Sequence, residues 1–293
     1  MKISYYPGCT LKTKAAGLES SALAILRHLD VEVEELKRWN CCGAVYSLAD
    51  DDLIHHVASV RNLIRAAQLG SDTVVTLCSQ CYNTLVRANL MVRTDEEKRD
   101  TINRFMDEEP DYAGEVEVLH FLDFLKENIG WDALREKISN PLTGMKVAPF
   151  YGCALVRPAE VRVGGPRGKL LDEFIEVIGA EAVSFPEGTE CCGSYQGLAH
   201  PEAGMTCSSN VVKAAFLAGA DAMILSCPLC EYNLGSKQPQ VLQGLEGVDG
   251  VPTFYFTQLL AVALGLEIET CRFELNSPAA LEFLKSRELV VSA

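Results

Sequence analysis

Cysteine is the residue type in this sequence whose number and spacing most clearly indicate chemistry. The chain of 293 residues contains twelve cysteines, and ten of them form two sets of five with the pattern Cys…Cys-Cys-Gly…Cys-x-x-Cys. The first set is Cys9, Cys41, Cys42, Cys78 and Cys81, and the second set is Cys153, Cys191, Cys192, Cys227 and Cys230. In a reducing compartment, such clusters of thiols indicate metal binding or redox chemistry rather than a disulfide framework.

The two sets are spaced almost alike along the chain. In the first, 31 residues separate Cys9 from Cys41 and 35 separate Cys42 from Cys78, and in the second the corresponding gaps are 37 and 34 residues. Short neighbouring segments repeat too: Leu48-Ala49 and Leu198-Ala199 follow the two Cys-Cys-Gly motifs at the same offset. Because self-similarity over most of a chain indicates duplication, we predict two homologous domains, at residues 1–143 and 144–293.

Five thiols per set restrict the choice of metal. Structural zinc needs four ligands, and an ordinary cubane cluster is held by four cysteines of which three are usually close in sequence. Adjacent cysteines in an extended chain point in opposite directions, which favours a larger cluster or a bridging thiolate. The glycine after each pair permits a positive φ, and a plain turn is its alternative interpretation.

Clusters in both halves are the preferred interpretation, and three others stay open at this point. These are a cluster in one half with zinc in the other, a dithiol relay without metal, and structural cysteines. Cys207 and Cys271 have no counterpart in the other half, so we expect them to be small buried hydrophobic residues without a role at the metal.

The elements around the cysteines alternate between strands and helices. Residues 3–6, 73–77, 146–150 and 222–225 have the apolar, β-branched composition of buried strands, and each leads into a cysteine motif. Apolar residues recur at helical spacing in three segments, which are residues 18–29, a segment that begins at residues 50–52, and residues 82–91. This alternation predicts an α/β fold with mainly parallel sheets, with the cysteines at the carboxyl edge, where ligands usually bind.

Composition excludes some partners. The formal charge is −14, without a basic run, which disfavours nucleic acid and anionic membranes as partners. The first residues show no signal-peptide pattern, and no segment has eighteen consecutive apolar residues. We therefore expect a cytoplasmic protein.

These cysteine motifs resemble those of the cysteine-rich CCG domain family, and the pairing of two such domains is similar to the B subunits of heterodisulfide reductases. The last gap of the second set is one residue shorter than the family pattern. The resemblance implies two Rossmann-like CCG domains related by a pseudo-two-fold axis. It also implies two non-cubane 4Fe-4S clusters, one held by each set of five cysteines.

The same resemblance implies an activity and partners. The activity is reduction of the coenzyme M–coenzyme B heterodisulfide to two thiols, and the partners are a ferredoxin-like C subunit and a flavin-bearing A subunit, with a hydrogenase as a further candidate. Two alternatives are an electron-transfer subunit of a lactate- or glycolate-type oxidoreductase, which has similar domains, and a zinc-stabilised scaffold. The chain has no Gly-x-Gly-x-x-Gly fingerprint, so we expect no flavin or nicotinamide in it.

Residues outside the two sets give weaker signals. Basic side chains that follow the first cysteine of each set could bind an anionic substrate, or they could belong to a solvated face or a partner contact; they are Lys12, Lys14, Arg157, Arg162, Arg167 and Lys169. Residues 164–168 are glycine-rich and could form a lid. We assign no role to the histidines, and we expect a disulfide substrate to be cleaved between the two sets.

Overall fold

The fold consists of two four-stranded, fully parallel sheets, one in each half of the chain. The computed structural model describes residues 1–44, 52–165, 169–243 and 245–289. The strands of the first sheet, in the order β2-β1-β3-β4, are β1 Lys2–Tyr5, β2 Glu32–Glu35, β3 Thr73–Thr76 and β4 Glu117–His120. Those of the second, in the order β6-β5-β7-β8, are β5 Lys146–Pro149, β6 Glu181–Ala182, β7 Ala222–Leu225 and β8 Thr253–Tyr255.

The central strands are apolar because helices cover both faces of a parallel sheet. Strand β7 is buried along its whole length. The edge strands β2 and β6 were missed by the sequence analysis: β2 is largely acidic and partly exposed, and β6 has only two residues. Neither has the apolar pattern of the inner strands, and pairing with β1 and β5 defines them instead.

Twelve α-helices connect and cover the strands in the described parts of the chain. In the first half they are α1 Ala16–His28, α2 Ile54–Gln68, α3 Ser79–Thr94, α4 Glu96–Phe105, α5 Phe121–Phe124 and α6 Trp131–Glu136. In the second half they are α7 Leu170–Val177, α8 Pro201–Leu217, α9 Pro228–Glu231, α10 Gln238–Val241, α11 Phe256–Ala263 and α12 Pro278–Ser286. Short π-helical segments, Leu125–Ile129 and Tyr232–Ser236, follow α5 and α9.

The two halves exchange equivalent contacts. Helix α1, which follows β1, packs against α11, and its Ser21 hydroxyl donates a hydrogen bond to Thr257 Oγ1 over 2.7 Å. Helix α7, which follows β5, packs against α5, and Lys126 pairs with Glu173 of α7 at 2.7 Å. Each half thus contributes to the interface the helix after its first strand and the helix after its last strand. The halves are therefore related by a pseudo-two-fold axis, as the resemblance implied.

The predicted α/β class and parallel sheets are confirmed. The helix expected to open at residues 50–52 begins at Ile54, whose backbone N–H donates to Asp52 Oδ1 over 3.1 Å; residues 50 and 51 lie outside the described residues, as do Leu48 and Ala49. The domain boundary near residue 143 stays a prediction. None of the helices within the described ranges is long and apolar enough to cross a membrane.

Candidate metal centre

The cysteine motifs lie where strands end and helices begin. Cys78 directly precedes α3 and Cys227 directly precedes α9, both with extended backbone conformations, while Cys81 and Cys230 lie in the first turns. Cys9 comes shortly after β1. Since all eight strands are parallel within their sheets, the loops after β1, β3, β5 and β7 meet at the carboxyl edges of the two sheets.

The first set of thiols forms a row that runs from solvent to the interior. The Cys9 and Cys41 sulfurs are 3.6 Å apart and both residues are exposed. The sulfurs of Cys42 and Cys81 are also 3.6 Å apart, and both residues are buried. Cys78, likewise buried, is in hydrogen-bonding contact with Cys81. The sequence analysis placed these five thiols in one set, and the structure brings them together.

The second set repeats this row. Hydrogen-bonding contacts connect the thiols in the order Cys153, Cys191, Cys192, Cys230 and Cys227. The backbone N–H of Gly193 donates to the Cys191 sulfur over 3.3 Å. The first two members are partly exposed and the other three are buried, so each set presents its N-terminal cysteine towards solvent.

The two rows meet between the halves. The backbone N–H of Ser79, next to Cys78, donates to the carbonyl of Ser226, next to Cys227, over 3.2 Å, and the two adjoining thiols are close enough to influence each other's pKa. The inner ends of the two thiol rows therefore adjoin at the interface between the halves. Sequence spacing contains no information about this contact, because it depends on how the two halves pack.

Close packing makes the thiols of a set chemically unequal. Hydrogen bonding with Cys41 and Cys81 lowers the pKa of Cys42 well below that of a free thiol. Hydrogen bonding to Cys153 likewise lowers the pKa of Cys191 to about 2, whereas the pKa of Cys81 is well above normal because its proton is shared with Cys42. All five thiols of a set can ionise together only if positive charge is added among them, which bound metal ions would supply.

The arrangement fits a multinuclear group better than a single ion. Within the described residues, no three or more Cys, His, Asp or Glu side chains converge on one metal-ion position. A structural zinc site needs four ligands around one point, whereas these thiols extend in rows. Thiolates are also the usual ligands of iron–sulfur clusters, so the donor set suits an iron–sulfur group.

Glycines adjoin the cysteines where the backbone passes close to other atoms. Gly43 and Gly193, which follow the cysteine pairs, have φ values of +79° and +89°, so the predicted positive φ is confirmed. A Cβ on Gly8 would lie 2.8 Å from the Cys81 sulfur, and one on Gly193 would lie 2.3 Å from the Gly204 carbonyl oxygen. At both positions a side chain would displace the wall of the site.

The two unmatched cysteines lie apart from these rows in different surroundings. Cys271 is fully buried, its thiol is 3.7 Å from the Gln258 carbonyl oxygen, and burial raises its pKa to about 12. It is the small buried residue that we expected. Cys207 is only partly buried on α8, so the expected burial was wrong there: its helix lies at the surface of the second half.

The basic residues have different surroundings. Lys12 is paired with Glu19 at 2.8 Å and with Glu35 at 2.6 Å, so its ammonium group is occupied within the first half. Lys14 and Arg157 line two separate cavities. Arg162 and Lys169 line a third cavity, and Arg167 lies outside the described residues. Residues 166–168 of the glycine-rich segment are outside them too, and the N–H of Gly164 donates to Asp123.

Sequence reasoning missed the residues that α3 contributes next to the second set. Gln80, Asn83 and Arg87 lie on one face of α3 and border a cavity together with Cys153. Their spacing of three and four residues after a Cys-x-x-Cys motif is the signal that could have found them. His120, which received no role, is fully buried against the Leu77 carbonyl oxygen at 3.1 Å, and burial lowers its pKa to about 3.

Comparison with known proteins agrees with this arrangement. The family described as "Cysteine-rich domain" (CCG) matches residues 3–86 and 147–235, one segment in each half. The chain belongs to the CCG family. Each matched segment contains one complete five-cysteine set, so the duplication inferred from spacing is a duplication of the CCG domain.

Named relatives of this CCG protein are subunits of redox complexes. It is 30% identical over 97% of its length to the B subunit of the ferredoxin/F(420)H(2)-dependent CoB–CoM heterodisulfide reductase of Methanosarcina acetivorans, of which 96% is covered. It is 31% identical over 90% of its length to the 8-methylmenaquinol:fumarate reductase membrane anchor subunit of Wolinella succinogenes, of which 93% is covered. An iron–sulfur role in electron transfer is the function that these relationships support.

One solved structure shares the fold. A hypothetical protein from Helicobacter pylori superimposes with a TM-score of 0.74 over 94% of this chain, at 14% identity. The chain spans 51% of that protein. At this identity the likeness concerns the fold alone.

Proposed function

We propose that this CCG protein is the disulfide-reducing iron–sulfur subunit of a heterodisulfide reductase complex. The observation that carries the proposal is the backbone hydrogen bond from Ser79 to Ser226, which holds the Cys78 and Cys227 ends of the two five-thiol sets beside each other across the interface. Cleavage of a disulfide to two thiols consumes two electrons and two protons, and iron–sulfur centres usually transfer one electron each. Two adjoining sets would allow both electrons to reach one substrate.

Each set would hold one cluster in this proposal. Cys9, Cys41, Cys42, Cys78 and Cys81 would ligate the first, and Cys153, Cys191, Cys192, Cys227 and Cys230 the second; the resemblance suggests that both are non-cubane 4Fe-4S clusters. Bound iron would supply one-electron transfer and sites with affinity for sulfur. The protein contributes buried thiols, glycines that allow close approach of the backbone, and an interface that holds the two sets together.

The electrons would come from other subunits. The relative in M. acetivorans is named as the B subunit of an enzyme that depends on ferredoxin or F(420)H(2), and by analogy we propose a ferredoxin-like C subunit and a flavin-bearing A subunit as partners. The exposed Cys9 and Cys41 lie at the outer end of the first row of thiols, where a partner can approach. The coenzyme M–coenzyme B disulfide is the first substrate to test.

The test uses the chain purified without oxygen. With a reduced viologen dye as electron donor, we expect consumption of the disulfide and release of two thiols per disulfide, and with NADH alone we expect neither. Iron and acid-labile sulfide should both be present. Brown protein that transfers electrons without cleaving disulfide would reject the reductase assignment, and a colourless protein that contains only zinc would reject the cluster assignment.

A second candidate is an electron-transfer subunit of a quinol- or hydroxyacid-linked oxidoreductase. It is favoured by the relative in W. succinogenes, which is named as part of a fumarate reductase. The same purified chain distinguishes the two candidates. An electron-transfer subunit would be reoxidised by quinone analogues and not by any disulfide, whereas the disulfide reductase would be reoxidised by disulfide with a matching yield of thiol.

A further inference from the structure

The peptide groups that lead into the two Cys-x-x-Cys motifs receive different hydrogen bonds at the junction of the halves. Leu77 follows β3 and Ser226 follows β7, so the duplication relates these two residues. The Ser226 carbonyl oxygen accepts from the backbone N–H of Ser79, at the start of α3, over 3.2 Å. The Leu77 carbonyl oxygen instead lies 3.1 Å from Nε2 of His120.

A proline accounts for the difference. In the second Cys-x-x-Cys motif, the residue that corresponds to Ser79 is Pro228. The pseudo-two-fold axis relates the hydrogen bond that Ser79 donates to one from residue 228 to the Leu77 carbonyl oxygen. Proline has no backbone N–H, so this second hydrogen bond cannot form. His120 supplies the donor that is missing.

The His120 side chain uses both ring nitrogens within the protein. It lies at the end of β4, directly before α5, and is fully buried. The backbone N–H of Leu122 donates to Nδ1 over 3.2 Å. Because a carbonyl oxygen only accepts and a backbone N–H only donates, the ring is neutral and its proton on Nε2 is directed at the Leu77 carbonyl oxygen. His120 is therefore a positioning residue and not a catalytic one.

The His120 ring also contacts residues of both halves. Its centroid lies 5.7 Å from that of Tyr82, the residue after Cys81, in an edge-to-face arrangement, and 5.8 Å from that of Phe256 on α11. The counterpart of His120 is Tyr255, which ends β8 directly before α11. The framework thus has a ring at both positions, and the histidine belongs to the half whose carbonyl group faces the proline.

We propose that His120 positions the peptide group between Leu77 and Cys78 and thereby raises the reduction potential of the first iron–sulfur centre. A carbonyl oxygen has partial negative charge, which disfavours the addition of an electron nearby, and a hydrogen bond offsets that charge. Because Leu77 is buried, bulk water cannot supply this hydrogen bond instead. The inference rests on the iron–sulfur centres of the proposed function and adds a residue that makes the two centres unequal.

The experiment is an anaerobic redox titration of the full chain without substrate, followed by electron paramagnetic resonance. His120→Phe keeps a ring and removes both hydrogen bonds. We expect the equilibrium constant for reduction of the first centre to fall about tenfold, which is about 59 mV for a one-electron couple, while the second centre keeps its potential. Spectra of Cys81→Ala and Cys230→Ala assign the signals to the two centres.

Two further variants separate the hydrogen bonds of His120. His120→Gln should keep the parental potential, because its amide provides a donor for Leu77 and an acceptor for Leu122. Asparagine is favourable at the start of a helix, so His120→Asn keeps the acceptor for Leu122, but its shorter side chain does not reach Leu77. It should lower the potential as His120→Phe does. An unchanged potential in both variants that lack the donor would overturn the proposal. Loss of the first centre in both would mean that His120 acts in assembly instead, and would also overturn it.

Pro228→Ala tests the relation between the halves. Alone it should leave the potential of the first centre unchanged, because His120 already donates to the Leu77 carbonyl oxygen. Combined with His120→Phe, it restores a backbone N–H at the position that corresponds to Ser79, and at least about half of the shift in potential should be recovered. A double variant that recovers none of the shift would show that His120 does not replace a missing amide.

Phe121→Leu is the matched control for loosened packing. Phe121 is the buried neighbour of His120 and packs against Phe124 and Phe256. Its replacement should lower the urea concentration at the midpoint of unfolding, as His120→Phe does, and should move neither potential. If Phe121→Leu lowers the potential of the first centre as much as His120→Phe, loosened packing explains the shift and the proposed role of His120 is wrong.

Disulfide cleavage by the same proteins separates this inference from the proposed function. A potential that depends on His120 in a chain that cleaves no disulfide would keep the role of His120 and reject the reductase function. Cleavage of disulfide by a chain whose first centre has the same potential in the parent, His120→Phe and His120→Asn would keep the reductase function and reject the role of His120.

Discussion

At the scale of single residues, the functional signal of this protein lies in cysteine. Ten thiols lie in two rows whose neighbouring sulfurs are within hydrogen-bonding contact, while Cys271 is enclosed by apolar surroundings elsewhere. A thiol acts as a metal ligand only when it is deprotonated and near other ligands. We therefore propose that the ten cysteines within the rows are the metal ligands and that Cys207 and Cys271 are not.

Replacement of the two unmatched cysteines tests this distinction. Cys207→Ala and Cys271→Ala should each retain all the iron, about eight atoms per chain if two four-iron clusters are bound. Cys271→Ala should lower stability by about 1 kcal/mol, because it removes a buried sulfur. Iron and acid-labile sulfide analysis gives the result. Loss of about half the iron in either variant would contradict the assignment of the ten ligands.

Gly8 offers a second test at this scale. Gly8→Ala should lose about half of the iron, because its Cβ would lie 2.8 Å from the Cys81 sulfur. Gly70→Ala is the control: both glycines have positive φ, +75° and +71°, but a Cβ on Gly70 meets nothing within 4 Å. Each variant incurs about 1 kcal/mol of backbone strain, and the close approach to Cys81 is the one contact below ordinary van der Waals distance, since the Cβ would lie 3.6 Å from the Tyr6 ring. Full iron content in Gly8→Ala would remove the proposed role of this close approach.

At the scale of elements, the interface is built by exchange of helices and loops. Helix α5 of the first half contacts the segment after Cys153 through Asp123, whose Oδ1 accepts a hydrogen bond from the Gly164 N–H over 2.9 Å. The Asp123 side chain is buried, and this burial raises its pKa to about 6. The hydrogen bond and Lys126 lower that pKa by less, and Glu127 raises it. This contact therefore makes the interface sensitive to pH.

Asp123→Asn should remove this sensitivity. The pKa of Asp123 is higher in the folded protein than in the unfolded chain. Its contribution to the free energy of unfolding is therefore most favourable below about pH 4 and is lost as the pH rises through about 6. Asparagine keeps the acceptor for Gly164 without the charge. We expect the variant to be more stable than the parent at about pH 8, by up to about 3 kcal/mol, with little difference near pH 4.

Urea denaturation followed by circular dichroism measures this difference. The control is Glu136→Gln, which removes a carboxylate from an exposed position on α6 and should change stability by less than about 0.5 kcal/mol at either pH. Equal stability of Asp123→Asn and the parent at about pH 8 would show that the carboxyl of Asp123 is not disfavoured in the folded state.

At the scale of the whole molecule, the duplication places the two thiol sets side by side, and we propose that they act as one joint site. The hydrogen bond between Ser79 and Ser226, which are the neighbours of Cys78 and Cys227, holds the two thiol rows together. A substrate that lies at this junction is accessible to both halves.

Loss of one thiol set should therefore stop cleavage altogether. Cys81→Ala and Cys230→Ala each remove a buried member of one set. In single-turnover experiments with prereduced protein, each should slow disulfide cleavage at least about a hundredfold, an activation free energy of about 2.7 kcal/mol. Cys207→Ala is the control, and electron paramagnetic resonance shows which set has been lost. Cleavage at nearly the parental rate by either variant would mean that one half acts alone.

The sequence by itself determined the duplication, the α/β class and the two sets of thiols. These follow from local information: cysteine spacing, the apolar composition of β3 and β7, and helical periodicity after each Cys-x-x-Cys motif. The edge strands β2 and β6 were not predictable in this way, because their residues are polar or few and pairing with a neighbour alone makes them strands.

Only the tertiary structure decided how the halves meet. The hydrogen bond between Ser79 and Ser226 joins residues that are far apart in sequence, and one cavity combines Gln80, Asn83 and Arg87 with the turn at Arg157. These juxtapositions arise from packing of α1 on α11 and of α7 on α5. Periodicity and spacing describe each half separately, whereas the relation between the halves is fixed by the shapes of the two buried surfaces.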